Sequence, residues 1–160
     1  DEVAEFYSDS FLTHPPPTHS DAVQVLQGIK DMGLKMGLIS NTGMTPGFTF
    51  RSYMAERGIL DYFHTLTFSD EVKLAKPGRE IFMMTLRAMD ATPQQTIHVG
   101  DHVLNDVVGA KRCGLKTIWI TGFYKREDPD DAETEPDITV SGLGEVVEAV
   151  AKLAGRVAPN

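Results

Sequence analysis

A three-layer α/β fold built on a parallel sheet is predicted by three features of the sequence. Apolar runs of strand length alternate with amphipathic runs of helix length from Ser20 to Leu153, an order that produces crossovers rather than hairpins. Thr96–Val99, Asn105–Cys113 and Lys116–Thr121 form one complete strand–helix–strand unit, whose second strand must run parallel to the first. The apolar run Ile97-His98-Val99 stops at Gly100-Asp101, as a buried strand does when it delivers a polar group to the cleft at the carboxyl end of such a sheet.

Each element follows from its own pattern. Residues 1–12 read as a helix, because Val3, Phe6, Tyr7 and Phe11 recur at helical spacing. Pro15-Pro16-Pro17 resists both helix and sheet and reads as a linker, a polyproline ligand for a partner domain being the alternative. Ser20–Met32 is a helix capped by Ser20 or Asp21, apolar at Val23, Val25, Leu26 and Ile29, and stopped by Gly33. Leu34–Ser40 is a strand, Phe50–Gly58 a helix and Thr65–Ser69 a short strand. In the helix Arg79–Met89, residues Ile81, Phe82, Thr85, Leu86 and Met89 repeat on one face, so its methionines belong to a core stripe rather than a cofactor box. Trp119 falls in an apolar strand and is expected to be buried. Residues 125–136 are acidic and proline-bearing, a solvated loop. Asp137–Val140 is a short strand, and Leu143–Leu153 a closing amphipathic helix.

Length and charge narrow the function. A chain of 160 residues fits one domain. Its net charge of −8 argues against nucleic acid or an anionic membrane as partner, since both reward Lys and Arg. No apolar run approaches a membrane span. The acidic N-terminus lacks the apolar core of a signal peptide, so a cytoplasmic location is expected by default. A lone Cys113 cannot form an internal disulfide and reads as a packing residue.

Chemistry concentrates in three places. Asp101 and Asp106 place two carboxylates around one strand–helix turn, which suits Mg²⁺, a cation held by few carboxylates plus water and substrate phosphate. An Asp that merely caps the following helix is the plain alternative. Gly37-Leu38-Ile39-Ser40-Asn41-Thr42 is an apolar strand ending in hydroxyl and amide groups, and Lys76 stands directly before Pro77 at a helix entrance. A lysine there is electrostatically unfavourable as mere surface, because a helix N-terminus is already positive. His98 and His102 flank the Gly-Asp pair. A transition-metal site would need a third ligand at suitable spacing, so His98 is expected to face the core and His102 the rim of the site. His14 and His19 are expected to be solvated. The loop Asn41–Gly47 carries either specificity or only a connection.

In order and spacing these segments resemble the haloacid dehalogenase superfamily of phosphohydrolases, over about Ser20 to Gly122 and more weakly to the C-terminus. Ser40 matches the second family motif, Lys76 the third, and Gly100, Asp101 and Asp106 the fourth. The resemblance implies a Rossmann-like core over residues 20–160, preceded at 1–19 by the last helix of a cap and its linker. It implies a Mg²⁺-dependent phosphatase acting on a small phosphorylated metabolite. Ser40 and the backbone around Asn41 would donate to phosphoryl oxygens, and Lys76 would offset the charge gathered in the transition state. Asp101 would ligate Mg²⁺, and Asp106 would either ligate it through water or orient Lys76.

One departure outweighs the matches. Family members carry an Asp-x-Asp-Gly-Thr strand whose first Asp is the nucleophile and whose second is the general acid and base. This chain contains no such string. Asp9 in Phe6-Tyr7-Ser8-Asp9-Ser10-Phe11 could be aligned with the nucleophile, but Phe11 would then replace the general acid and helical spacing argues against a strand. The expectation is therefore a phosphatase scaffold inactive as this isolated chain. A non-catalytic phosphate-binding or interaction protein is the alternative, and 2-haloacid dehalogenation a weaker one. In the family that first strand lies between those ending at Ser40 and Asp101. Its loss exposes two inner sheet edges, so a homodimer or strand-exchanged assembly is expected, with direct closure of the two strands as the monomeric competitor.

Overall fold

The computed structural model describes residues 2–122, 135–156 and 158–159; residues 125–134 of the expected acidic loop lie outside them. The order is α1 (Glu2–Thr13), α2 (Ala22–Asp31), β1 (Gly37–Ser40), α3 (Gly47–Glu56), β2 (Thr65–Phe68), α4 (Ser69–Val72), α5 (Arg79–Ala88), β3 (Ile97–Gly100), α6 (Gly109–Arg112), β4 (Lys116–Ile120), β5 (Ile138–Val140) and α7 (Val146–Ala154). Helices α2 and α7 cover one face around Val25, Ile29, Ile118, Val140, Val146 and Val150. Helices α5 and α6 cover the other around Ile81, Phe82, Leu86, Ala110, Cys113 and Leu115. The result is the three-layer Rossmann-like arrangement, with Trp119 and Cys113 buried as packing residues.

The differences from the sequence reading have local causes. Helix α3 starts three residues early because Pro46 supplies an extended entry and the Asp70 carboxylate accepts the Gly47 amide at 3.0 Å. A Cβ at Gly47 would lie 2.7 Å from Phe68 Cβ, so the position is set by close approach rather than by apolar periodicity. The helix expected from Asn105 begins at Val103 and is π-helical to Val108 before α6 takes over. Its entrance is capped by His102 Nδ1, which accepts the Asn105 amide. Single-turn α4 carried no sequence signal and ends where Lys73 turns left-handed at φ 58°.

Helix α1 docks on α3. Thr49 Oγ1 donates to Ser8 Oγ at 2.8 Å in a buried contact, and the Phe11 ring meets Phe50 and Tyr53 edge-on at 5.3 and 5.5 Å. Tyr53 also donates to the Pro16 carbonyl at 2.9 Å, tying the proline run to the body. Residues 3–9 are therefore helical and cannot serve as a strand.

The sheet is split. Strand β1 pairs in parallel with β2, while β3, β4 and β5 form a second parallel set in that order. Among the described residues no ladder joins β1 to β3, so direct closure does not occur. Between them lies a cavity of about 850 Å³, lined by the two strands, by Val25 and Ile29 on one side and by Phe82 and Leu86 on the other. Folded interiors hold few voids larger than a water. Sealed and left empty, 850 Å³ would cost about 20 kcal/mol at ~24 cal/mol per Å³, more than the whole net stability of a domain.

Candidate active site

Strands β1 and β3 end at a common cleft, and the five residues singled out from the sequence, Ser40, Asn41, Lys76, Asp101 and Asp106, line its volume of about 310 Å³. That is where parallel α/β sheets bind their ligands. Ser40 is the last residue of β1, and Asp101 follows the last residue of β3. Trp119 Nε1 donates to the Asp101 carbonyl at 3.0 Å, fixing the backbone there.

Lys76 is held at both ends. The Asn41 side chain donates through Nδ2 to the Lys76 carbonyl and accepts the Lys76 amide at Oδ1, each at 2.8 Å. The peptide bond to Pro77 is cis. At the far end Nζ donates to Asp106 Oδ1 at 2.6 Å, and both side chains are almost wholly buried. Asn41 thus spends its side chain on positioning the lysine.

Asp106 collects three donors. Besides Lys76, Oδ1 lies 2.9 Å from His98 Nε2, and Oδ2 accepts the His102 amide at 3.1 Å. An ionised carboxylate only accepts, so Nε2 of His98 carries the proton. Burial opposes the charge, but the hydrogen bond and charge of His98, together with those of Lys76, outweigh it and hold Asp106 far below the usual carboxylate range. Gly100 makes this possible, since a Cβ there would sit 2.3 Å from Asp106 Cγ.

His98, expected to face the core, bridges core and site, with Phe82 edge-on at 5.2 Å and Asp106 beyond. The available signal was period two: His98 and Gly100 share a strand face, and Gly100 abuts Asp106. His102 is exposed at the rim. Asp9 lies on the exposed side of α1 and does not line the cleft.

The loop after β1 is braced from below. Thr42 Oγ1 donates to Asp70 Oδ1 at 2.6 Å, and the Thr42 amide donates to Ser69 Oγ at 2.9 Å. Partial burial would raise the Asp70 pKa, but hydrogen bonds from Thr42 and the Gly47 amide lower it on balance.

A split parallel sheet thus brings a serine, a buried lysine–aspartate pair and a second carboxylate to one cleft at its carboxyl edge, the arrangement of an α/β protein with a polar ligand site. The chain belongs to the haloacid dehalogenase-like hydrolases, whose family profile matches residues 2–120. It is 28% identical over 151 residues to a glyceraldehyde 3-phosphate phosphatase of Methanopyrus kandleri, covering 92% of this chain and 62% of that protein. It is 34% identical over 134 residues to a pyrimidine 5'-nucleotidase of Escherichia coli, covering 82% and 56%. The crystal structure of a phosphatase of this family from Thermococcus onnurineus superposes with a TM-score of 0.75 at 26% identity, over 90% of this chain and 64% of that one. The chain thus spans less than two thirds of the curated relatives it matches. No helix among the described residues is long and apolar enough to cross a membrane.

Proposed function

We propose that this chain carries the phosphate-handling half of a Mg²⁺-dependent phosphatase for small phosphorylated metabolites. The observation that supports it is the fixed Lys76 ammonium facing the same cleft as Ser40 and the Asp101 carboxylate. Ser40 and the backbone at Asn41 donate to the phosphoryl oxygens, and Lys76 balances their charge. Asp106 acts through Lys76, holding Nζ in place.

The donor set fits a hard cation. Mg²⁺ needs only one or two carboxylates alongside water and substrate oxygens. Asp101 would hold it directly and Asp106 through water, and when bound it would neutralise phosphoryl charge. Helix α1 would be the last helix of a covering cap over residues 1–19.

The reaction needs a carboxylate nucleophile, and the chain has no Asp-x-Asp-Gly-Thr string. The 160 residues alone should therefore bind phosphate without turning over p-nitrophenyl phosphate. A non-catalytic phosphate binder is the second reading, favoured by that same absence. Phosphorus NMR of orthophosphate with Mg²⁺ tests the site: line broadening lost in Asp101→Asn and Lys76→Met supports it, and no broadening with the parent protein refutes it. Robust turnover abolished by Asp9→Asn would instead establish Asp9 as the nucleophile.

A further inference from the structure

The polar side chains of the cleft divide into those the fold has already committed and those left for a ligand. The Asn41 amide is spent at both ends on the Lys76 backbone. The Asp106 carboxylate takes Lys76, His98 and the His102 amide, and His102 Nδ1 accepts the backbone N–H of Asn105 at 3.3 Å. Ser40 and Asp101 carry the phosphate and cation roles given above. Asn105 remains. It lines the cleft half-buried, and its side-chain amide makes no hydrogen bond among the described residues. No buried side-chain nitrogen or oxygen there lacks a partner, so this unpartnered amide is open to solvent. Its backbone is nevertheless fixed, by His102 on its own N–H and by the three donors that hold the next residue, Asp106. A side chain on a fixed backbone loses little freedom when it grips a ligand.

Size leaves that amide something to grip. At ~30 Å³ per water-sized group, about 310 Å³ holds roughly ten such groups. A phosphate fills about five, so a phosphate and one cation leave room for a fragment of a few heavy atoms. Ser40, Asn41 and Lys76 draw the phosphate toward the half of the sheet containing β1, and the space left over is bordered on the β3 half by His102 and Asn105. A primary amide offers two donors and an acceptor, the complement of a hydroxyl group, which both gives and takes a hydrogen bond. A second anionic group on the ligand would instead meet the Asp101 carboxylate in the same cleft of a chain with net charge −8. The matching group is a neutral hydroxyl.

We propose that Asn105 determines specificity in this cleft, its side-chain amide hydrogen-bonding a hydroxyl on the alcohol portion of a small phosphomonoester. The ligand class is thus a hydroxylated alkyl phosphate rather than an apolar ester or a second phosphate. The inference rests on the phosphate-handling reading of the cleft and deepens it by naming what distinguishes one phosphate ester from another.

Three probes separate the contributions: orthophosphate, n-propyl phosphate, and glycerol 3-phosphate, which has the same carbon chain with hydroxyls added. Each is titrated with Mg²⁺ into the 160-residue chain and followed by phosphorus NMR. The parent protein should bind glycerol 3-phosphate about fivefold more tightly than n-propyl phosphate, the yield of one hydrogen bond made in competition with water. Asn105→Leu, close in shape, and Asn105→Ala should both bring the two esters to equal affinity while orthophosphate affinity stays within about twofold. That unchanged orthophosphate binding also reports that the variants are folded. Equal affinity of the two esters in the parent, or a preference that survives both substitutions, would overturn the inference. So would a parallel loss of orthophosphate binding, because Asn105 would then hold the phosphate itself. Absence of orthophosphate binding by the parent would refute the phosphate cleft and the inference with it, a result distinct from equal binding of the two esters.

Discussion

Replacing Lys76 with methionine keeps the length of the side chain and removes its charge, leaving Asp106 buried without its closest partner. Breaking a buried ion pair by deleting one member typically costs ~3–5 kcal/mol, because the remaining charge stays desolvated. Here His98 and the His102 amide still face the carboxylate, which places the loss at the lower end, about 3 kcal/mol. For a domain of this size that corresponds to a fall of about 6–12 °C in melting temperature. Urea unfolding followed by circular dichroism and Trp119 fluorescence measures it directly. A second variant makes the reasoning sharper. Lys76→Met with Asp106→Leu removes both charges, so its loss should be smaller than the sum of the single losses by about 2 kcal/mol. A Lys76→Met loss under about 0.5 kcal/mol, or strict additivity in the double variant, would refute the account of Asp106 as a buried charge dependent on Lys76.

Three further outcomes are expected. Asp70 has a lowered pKa in the fold, so the stability it contributes is present above its ordinary value near ~3.9 and is lost as the pH falls through the folded value; Asp70→Asn should flatten the acid side of the stability profile, read by denaturant midpoints from neutral to strongly acidic pH. Gly100→Ala must displace Asp106, whose Cγ lies 2.3 Å from the new Cβ, and should abolish Mg²⁺-dependent phosphate broadening in the NMR assay. Thr49→Val leaves Ser8 without its donor in a buried contact and should cost ~1–3 kcal/mol, with faster amide exchange concentrated in α1.

The alternation of strands and helices was legible because burial imposes period two or period 3.6 wherever an element has one apolar face. Helix α5 shows this most plainly, with Ile81, Phe82, Thr85 and Leu86 buried as its spacing requires. Ser40, Lys76, Asp101 and Asp106 could be picked out because strand ends and a helix entrance are where apolar runs give way to polar groups. The missed features depend on tertiary partners. The start of α3 is set by Asp70, twenty-three residues further along the chain, and no local pattern records that. Asn41 grips the Lys76 backbone across thirty-five residues, a use of its side chain that composition does not reveal. The role of His98 lay within reach through its shared face with Gly100. The π-helical entry at Val103 left no trace in hydrophobic spacing.

The Lys76–Asp106 contact has a mechanical meaning as well as an electrostatic one. Through Asn41, Lys76 belongs to the half of the sheet containing β1; Asp106 belongs to the half containing β3. Among the described residues no ladder joins these halves, so at the cleft the Lys76–Asp106 contact, with the covering helices, does the work that backbone pairing does elsewhere in the sheet. Ser40 stands on one half and Asp101 on the other, and whatever sets the spacing of the halves also sets the distance between the groups that line one cleft.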